Sequence, residues 1–99
     1  MAFFQVTAAE LRKKAEQLKG LNNRFKTGTD SLETTEQALK SMWEGEANDV
    51  FHQAFTRDKG QMDRFYQAIE RYIEALLIIA AKYEEAENRN IATAQTRTY

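Results

Sequence analysis

The sequence predicts an all-α protein, and three observations carry that prediction. The 99 residues contain no Pro and only four Gly, while 29% are charged, so almost nothing interrupts a helix. Large apolar side chains recur every seven residues through both halves of the chain. A single interruption, Trp43-Glu44-Gly45, separates the halves. The expected architecture is an antiparallel two-helix hairpin.

The first element opens with Thr7-Ala8-Ala9-Glu10, which reads as a capping box, and Val6 and Leu11 are placed as a hydrophobic staple. The helix is therefore expected to start at Ala8 and run to Met42. Its seam is read as Leu11, Leu18, Phe25, Leu32 and Leu39, with Leu21, Gly28, Thr35 and Met42 in the companion position. Gly28 inside it either weakens the helix or admits a close neighbour. Trp43-Glu44-Gly45 is the expected turn, with Gly45 suited to positive φ. Glu46 and Asp49 then place negative charge at the start of a second helix, expected over 46–87. Its seam is read through Phe51, Phe55, Asp58, Met62, Phe65, Ile69, Tyr72, Leu76, Ile79 and Tyr83. Residues 1–87 thus form the hairpin domain, and the polar, Thr-rich stretch 88–99 is expected to be a flexible C-terminal tail.

At ~1.5 Å per residue the helices would measure about 52 and 63 Å, so the second overhangs the first. With the turn near residue 44, paired residues should have numbers summing to about 88, which sets Tyr66 opposite Asn22 and Tyr83 opposite Gln5. The second helix also carries Tyr66, Ile73, Leu77, Ile78 and Ala80 outside the seam, an apolar surplus that one hairpin leaves uncovered. A four-helix bundle made by two hairpins covers it, and Phe65, Ile69, Tyr72, Ile73, Leu76 and Leu77 are the residues expected at the dimer interface.

A net charge of -1 supplies no field for nucleic acid. Arg12-Lys13-Lys14 and Arg24 with Lys26 lack aromatic interleaving, so they read as solvated faces. The absence of Cys removes thiolate chemistry and Cys-ligated zinc, and the lone His52, three residues from Asp49, does not repeat as a di-metal bundle site requires. Ser31 and Ser41 have neither a second His nor a Gly-rich elbow. Glu84, Glu85 and Glu87 read as a solvated face without a sugar cleft. No enzyme activity, cofactor, metal or small-molecule substrate is expected. The longest apolar run, Ala75 to Ala81, is far below the ~20 residues of a membrane span, and the first residues lack a cleavable signal pattern.

Two long helices, a length near one hundred and the central Trp43-Glu44-Gly45 together resemble the Trp-x-Gly family of small ESAT-like proteins. Val6-Thr7-Ala8-Ala9-Glu10-Leu11 is similar to that family's opening of the first helix. The resemblance implies a type VII (ESX-like) secretion substrate of a Gram-positive or mycobacterial cell, secreted folded and without a cleavable signal peptide. It also implies pairing with itself or a related family member, and the virulence association that such proteins carry. Trp43 and Gly45 match the family's turn. Tyr83 and Glu87 match its Tyr-x-x-x-Asp/Glu export motif, which the resemblance implies is read with the turn by the secretion ATPase. Tyr66 and Glu70 share that spacing, but Tyr66 is expected to be committed to the bundle. The alternative implied function is an intracellular adaptor or chaperone that sheathes the helical leader of a larger type VII toxin.

Overall fold

The computed structural model describes residues 6–96, and among them there are two helices and no strand. α1 spans Ala8–Met42 and α2 spans Glu46–Thr96, folded back on each other into a rod of 84 × 23 × 21 Å. The Cα radius of gyration is 22.8 Å, far above the ~13 Å of a compact chain of this length, so most side chains have only one helix to pack against.

α1 begins where Thr7, in extended conformation, accepts a hydrogen bond from the Glu10 amide at 3.1 Å. It ends at Trp43, whose extended backbone breaks the ladder. Gly45 then takes φ +126°, and its carbonyl accepts from the amides of Asn48 and Asp49 to start α2. Glu46 and Asp49 complement the dipole of that first turn.

The hairpin seam lies one row away from the expected one. The residues of α1 buried against α2 are Ala8, Ala15, Asn22, Thr29 and Glu36, a heptad of small and polar side chains. Leu11, Leu18 and Phe25, three positions further on, are half-buried, while Leu21, Leu32, Leu39 and Met42 are exposed. On α2 the facing row is His52, Lys59, Tyr66, Ile73, Ala80 and Glu87, flanked by the half-buried Phe55, Met62, Ile69 and Leu76. Phe51, Phe65, Tyr72 and Ile79 face outward. Both rows repeat every seven residues, so periodicity alone does not choose between them. Ala8 and Ala15 permit close approach, Thr29 bonds back to the Lys26 carbonyl of its own helix, and Asn22 and Glu36 find partners across the seam.

Those partners set the register. Asn22 Nδ2 donates to the Tyr66 carbonyl at 3.1 Å and to Glu70 Oε1 at 2.9 Å, so the expected opposition of Asn22 and Tyr66 is present. The buried Glu36 carboxylate accepts from His52 Nδ1, and Lys40 Nζ lies 3.3 Å from His52 Nε2. Lys59 bridges Asp63 at 2.7 Å and Glu33 at 3.5 Å, and Arg12 meets Glu84 at 2.5 Å. All of these lie along one edge of the hairpin.

The opposite edge is apolar. At ~100° per residue, the Leu11 and Leu21 rows lie on one side of the α1 contact line, as the Phe55 and Phe51 rows do on α2. Because the helices are antiparallel, these sides merge into one face. Phe25 and Phe65 meet edge to face there at 5.4 Å, and Leu18, Leu21, Phe25, Phe65 and Ile69 line a shallow groove. The residues read as two internal seams are thus the outer face of a single hairpin. Gly28 lies on this face with no neighbour of its own chain within 4 Å of a notional Cβ, so no close helix contact inside the chain explains it.

α2 does not stop at Glu87. It continues through the stretch expected to be a tail as far as Thr96, with Arg89 and Glu85 paired at 3.1 Å along it. The absence of Pro and Gly beyond residue 60 leaves nothing to end the helix sooner, and Ala92 and Ala94 favour it. Among the described residues no helix is long and apolar enough to cross a membrane.

Candidate recognition surfaces

The turn, the open end of the hairpin and the apolar face are the surfaces on which recognition could act. At the turn, the Trp43 ring is half-buried and packs against Phe51 at 5.8 Å. Asn48, in the first turn of α2, is buried, and its Nδ2 reaches the Lys40 carbonyl at 3.5 Å, near the end of α1 where carbonyls lack helical partners. Its Oδ1 has no donor among the described residues. Gly45 itself is exposed with open space around it, so only its backbone conformation demands glycine.

At the open end, Glu87 Oε1 accepts a hydrogen bond from the Ala8 amide at 3.0 Å. The carboxylate of α2 therefore caps the first turn of α1, with its charge at the positive end of that helix. Val6, Thr7, Tyr83, Ala86, Glu87 and Ile91 line an open cleft of about 920 Å³ here. Tyr83 stays 45% exposed in it. Gln5, expected opposite Tyr83, lies outside the described residues, as do Phe3 and Phe4. The capping role of Glu87 was not legible from spacing, because it depends on where α1 begins relative to the register of α2. Its loss should be measurable. Glu87→Gln keeps an acceptor but removes the charge, and is expected to cost about 0.5–1 kcal/mol. Faster amide exchange in the first turn of α1, with the rest of the helix unchanged, is the expected signature.

The second Tyr-x-x-x-Glu pair is built into the hairpin. Tyr66 is half-buried, with Lys26 Nζ 5.5 Å from its ring centre, and Glu70 holds Asn22. Glu70 thus helps to hold the register of the hairpin. Burial pushes the Tyr66 phenol above its usual range, the Glu70 carboxylate adds to this, and Lys26 opposes it. Lys59 is also raised, first by its hydrogen bond to Asp63. Both groups hold their protons more tightly folded than unfolded. Their contribution is complete below pH ~10 and is lost as pH rises through the folded values. Stability should fall above pH ~10, and Tyr66→Phe should flatten that fall in denaturant midpoints measured against pH.

The residues expected at a dimer interface divide between surfaces. Phe65 and Tyr72 are 57% and 65% exposed on the apolar face, with Ile69 and Leu76 half-buried beside them. Ile73 is only 5% exposed, consumed by the hairpin seam. Leu77 is exposed, but its row is that of Glu70 and Glu84, on the charged edge. Among the described residues no three His, Asp or Glu side chains are grouped to hold a metal, and His52 engages Glu36 rather than Asp49.

The chain matches the WXG100 family, described as proteins of 100 residues with WXG, over residues 4–88. That span includes Trp43, Gly45, Tyr83 and Glu87. The chain belongs to the WXG100 family. Among solved structures, the selenomethionine-labelled form of EsxB, a secreted protein from Bacillus anthracis strain Sterne, is similar with a TM-score of 0.77 and 24% identity. It covers 88% of this chain and 99% of that one. Wild-type EsxB in another crystal form is similar with a TM-score of 0.75 and 25% identity, over 85% and 97% of the two chains. No curated protein matches the chain. The helical hairpin is thus a fold this WXG100 protein shares with EsxB, and the Trp43-to-Gly45 turn is the part that names the family.

Proposed function

We propose that this WXG100 protein is a non-enzymatic helical hairpin exported by a type VII secretion system, acting through dimerisation and protein recognition. The observation that carries the reading is the family match over residues 4–88 to a chain whose fold is that of the secreted protein EsxB. The apolar face supports dimerisation. It runs along both helices, no part of the described chain covers it, and a second hairpin would turn it into the core of a four-helix bundle. Phe65, Ile69, Tyr72 and Leu76 with Phe25, Leu32 and Leu39 are the proposed contacts. The partner is a second copy or a related family member.

The proposed export signal combines the turn of one hairpin with Tyr83 and Glu87 of the other, read by the secretion ATPase. In an antiparallel pair of hairpins, a turn of one copy comes beside the open end of its partner, which brings the two halves of the signal together. Because Glu87 also caps α1, its role in recognition must be separated from its role in folding. Tyr83→Ala does so, since Tyr83 is 45% exposed and makes no interhelical hydrogen bond among the described residues. Export should fall for Tyr83→Ala while helix content and dimer mass stay unchanged. Normal export of a folded Tyr83→Ala dimer would remove the signal assignment. Retention of the wild-type chain inside cells, bound to a larger protein, would instead support the adaptor reading.

A further inference from the structure

The surplus on α2 between Ala75 and Ala81 exceeds what one partner hairpin can cover. At this level Ile73 and Ala80 fill the seam, Leu76 and Ile79 lie toward the apolar face and Leu77 lies on the charged edge, while Ile78 remains 59% exposed on the far side. The residues around Ile78 on that side are Arg71, Glu74, Ala75, Ala81, Lys82 and Glu85, all exposed. Among the described residues, Arg71, Glu74 and Lys82 make no ion pair, and Glu85 makes only the exposed local pair with Arg89.

These positions are arranged symmetrically about Ile78, and their charges are opposite at each equivalent pair of positions. Arg71 lies two turns before it and Glu85 two turns after. Glu74 lies about one turn before and Lys82 about one turn after. Ala75 and Ala81 are small residues at matching distances on either side. If two copies of α2 cross antiparallel with Ile78 on the twofold axis, each Arg71 meets the partner copy's carboxylate at position 85. Each Glu74 likewise comes level with an ammonium at position 82 across the axis, with Ala75 and Ala81 as small residues that leave room beside them. A patch that is its own complement under a twofold rotation is what an isologous contact requires.

We infer that the back of α2, centred on Ile78, is a second self-association surface whose occupant is another copy of this chain, distinct from the apolar face of the hairpin. Two different isologous contacts on one chain build closed tetramers or open chains of dimers, so the surface converts dimers into larger assemblies. The contact is small and partly ionic. It is therefore weak, sensitive to salt, and populated at high local concentration.

Sedimentation velocity of the full chain from about 10 μM to about 1 mM, at low and high salt, tests this. The wild-type protein should double its mass across that range, and the doubling is read from whichever species is present at the lowest concentration, so it does not depend on the apolar-face dimer. Arg71→Glu and Glu85→Arg each set like charges against one another twice, and should each weaken the doubling by about tenfold or more. An equimolar mixture of the two, or the double variant, restores opposite charges at both places and should recover wild-type association. Glu74→Lys and Lys82→Glu should behave in the same way, and circular dichroism should show all variants equally helical. A wild-type chain that keeps one mass throughout, single variants that associate normally, or a mixture that does not recover would each overturn the inference.

Discussion

Ile73→Asp is expected to unfold the hairpin, and Phe65→Asp is expected to leave it folded and break the dimer. The two residues lie eight positions apart on α2, and both read as interface candidates from sequence. Ile73 is 5% exposed between the helices, so its replacement puts an unpaired carboxylate into the seam that holds the two described helices together. The cost of more than about 4 kcal/mol is comparable with the whole stability of a small domain. Phe65 is 57% exposed in the single chain, and a carboxylate there stays solvated until a second hairpin covers it. Circular dichroism should report loss of helix for Ile73→Asp alone. Light scattering should report a monomer for Phe65→Asp. A Phe65→Asp chain that remains a dimer would move the interface off the apolar face.

The turn substitutions come next in size. Gly45→Ala is expected to cost about 1–3 kcal/mol because φ +126° is a region that side chains with a Cβ avoid, even though open space surrounds the position. Trp43→Ala is expected to cost about 1–2 kcal/mol, less than a fully buried indole, because the ring is half-buried against Phe51. Denaturant midpoints of the two variants measure these costs. Under the proposed function export should fall further than stability does, roughly tenfold or more for Trp43→Ala, the loss typical of removing an aromatic anchor. Trp43→Phe keeps most of the packing and should separate the effects: near-normal stability with reduced export points to recognition of the indole itself.

Much of this was legible in the sequence, and the misses share a cause. The capping Thr7, the turn at Trp43 to Gly45 and the opposition of Asn22 with Tyr66 follow from local chemistry and chain reversal, and the structure has them. The seam was displaced because the heptad was followed through the largest apolar side chains. In this hairpin the contact line is made of Ala8, Ala15, Asn22, Thr29 and Glu36, which pack closely or pair across, while the leucines flank it. A hydrophobic pattern identifies the face that must be covered, but not which partner covers it. Glu87 read as solvated, and the role of Glu70 went unread, because their partners, the Ala8 amide and Asn22, are distant in the chain and become neighbours only once the register is known. The helical extension to Thr96 was missed for a related reason: polar composition argues against burial, not against helix.

The central claim is export of a folded hairpin through a type VII pathway, and one measurement bears on it most directly. The wild-type chain, produced at equal levels in a parent strain and in one lacking the type VII secretion ATPase, is quantified in cell-free culture medium against a cytoplasmic lysis marker. Type VII export predicts abundant protein in the parent medium and none above the lysis marker in the deficient strain. Equal amounts in both media, or retention inside both strains, would contradict it.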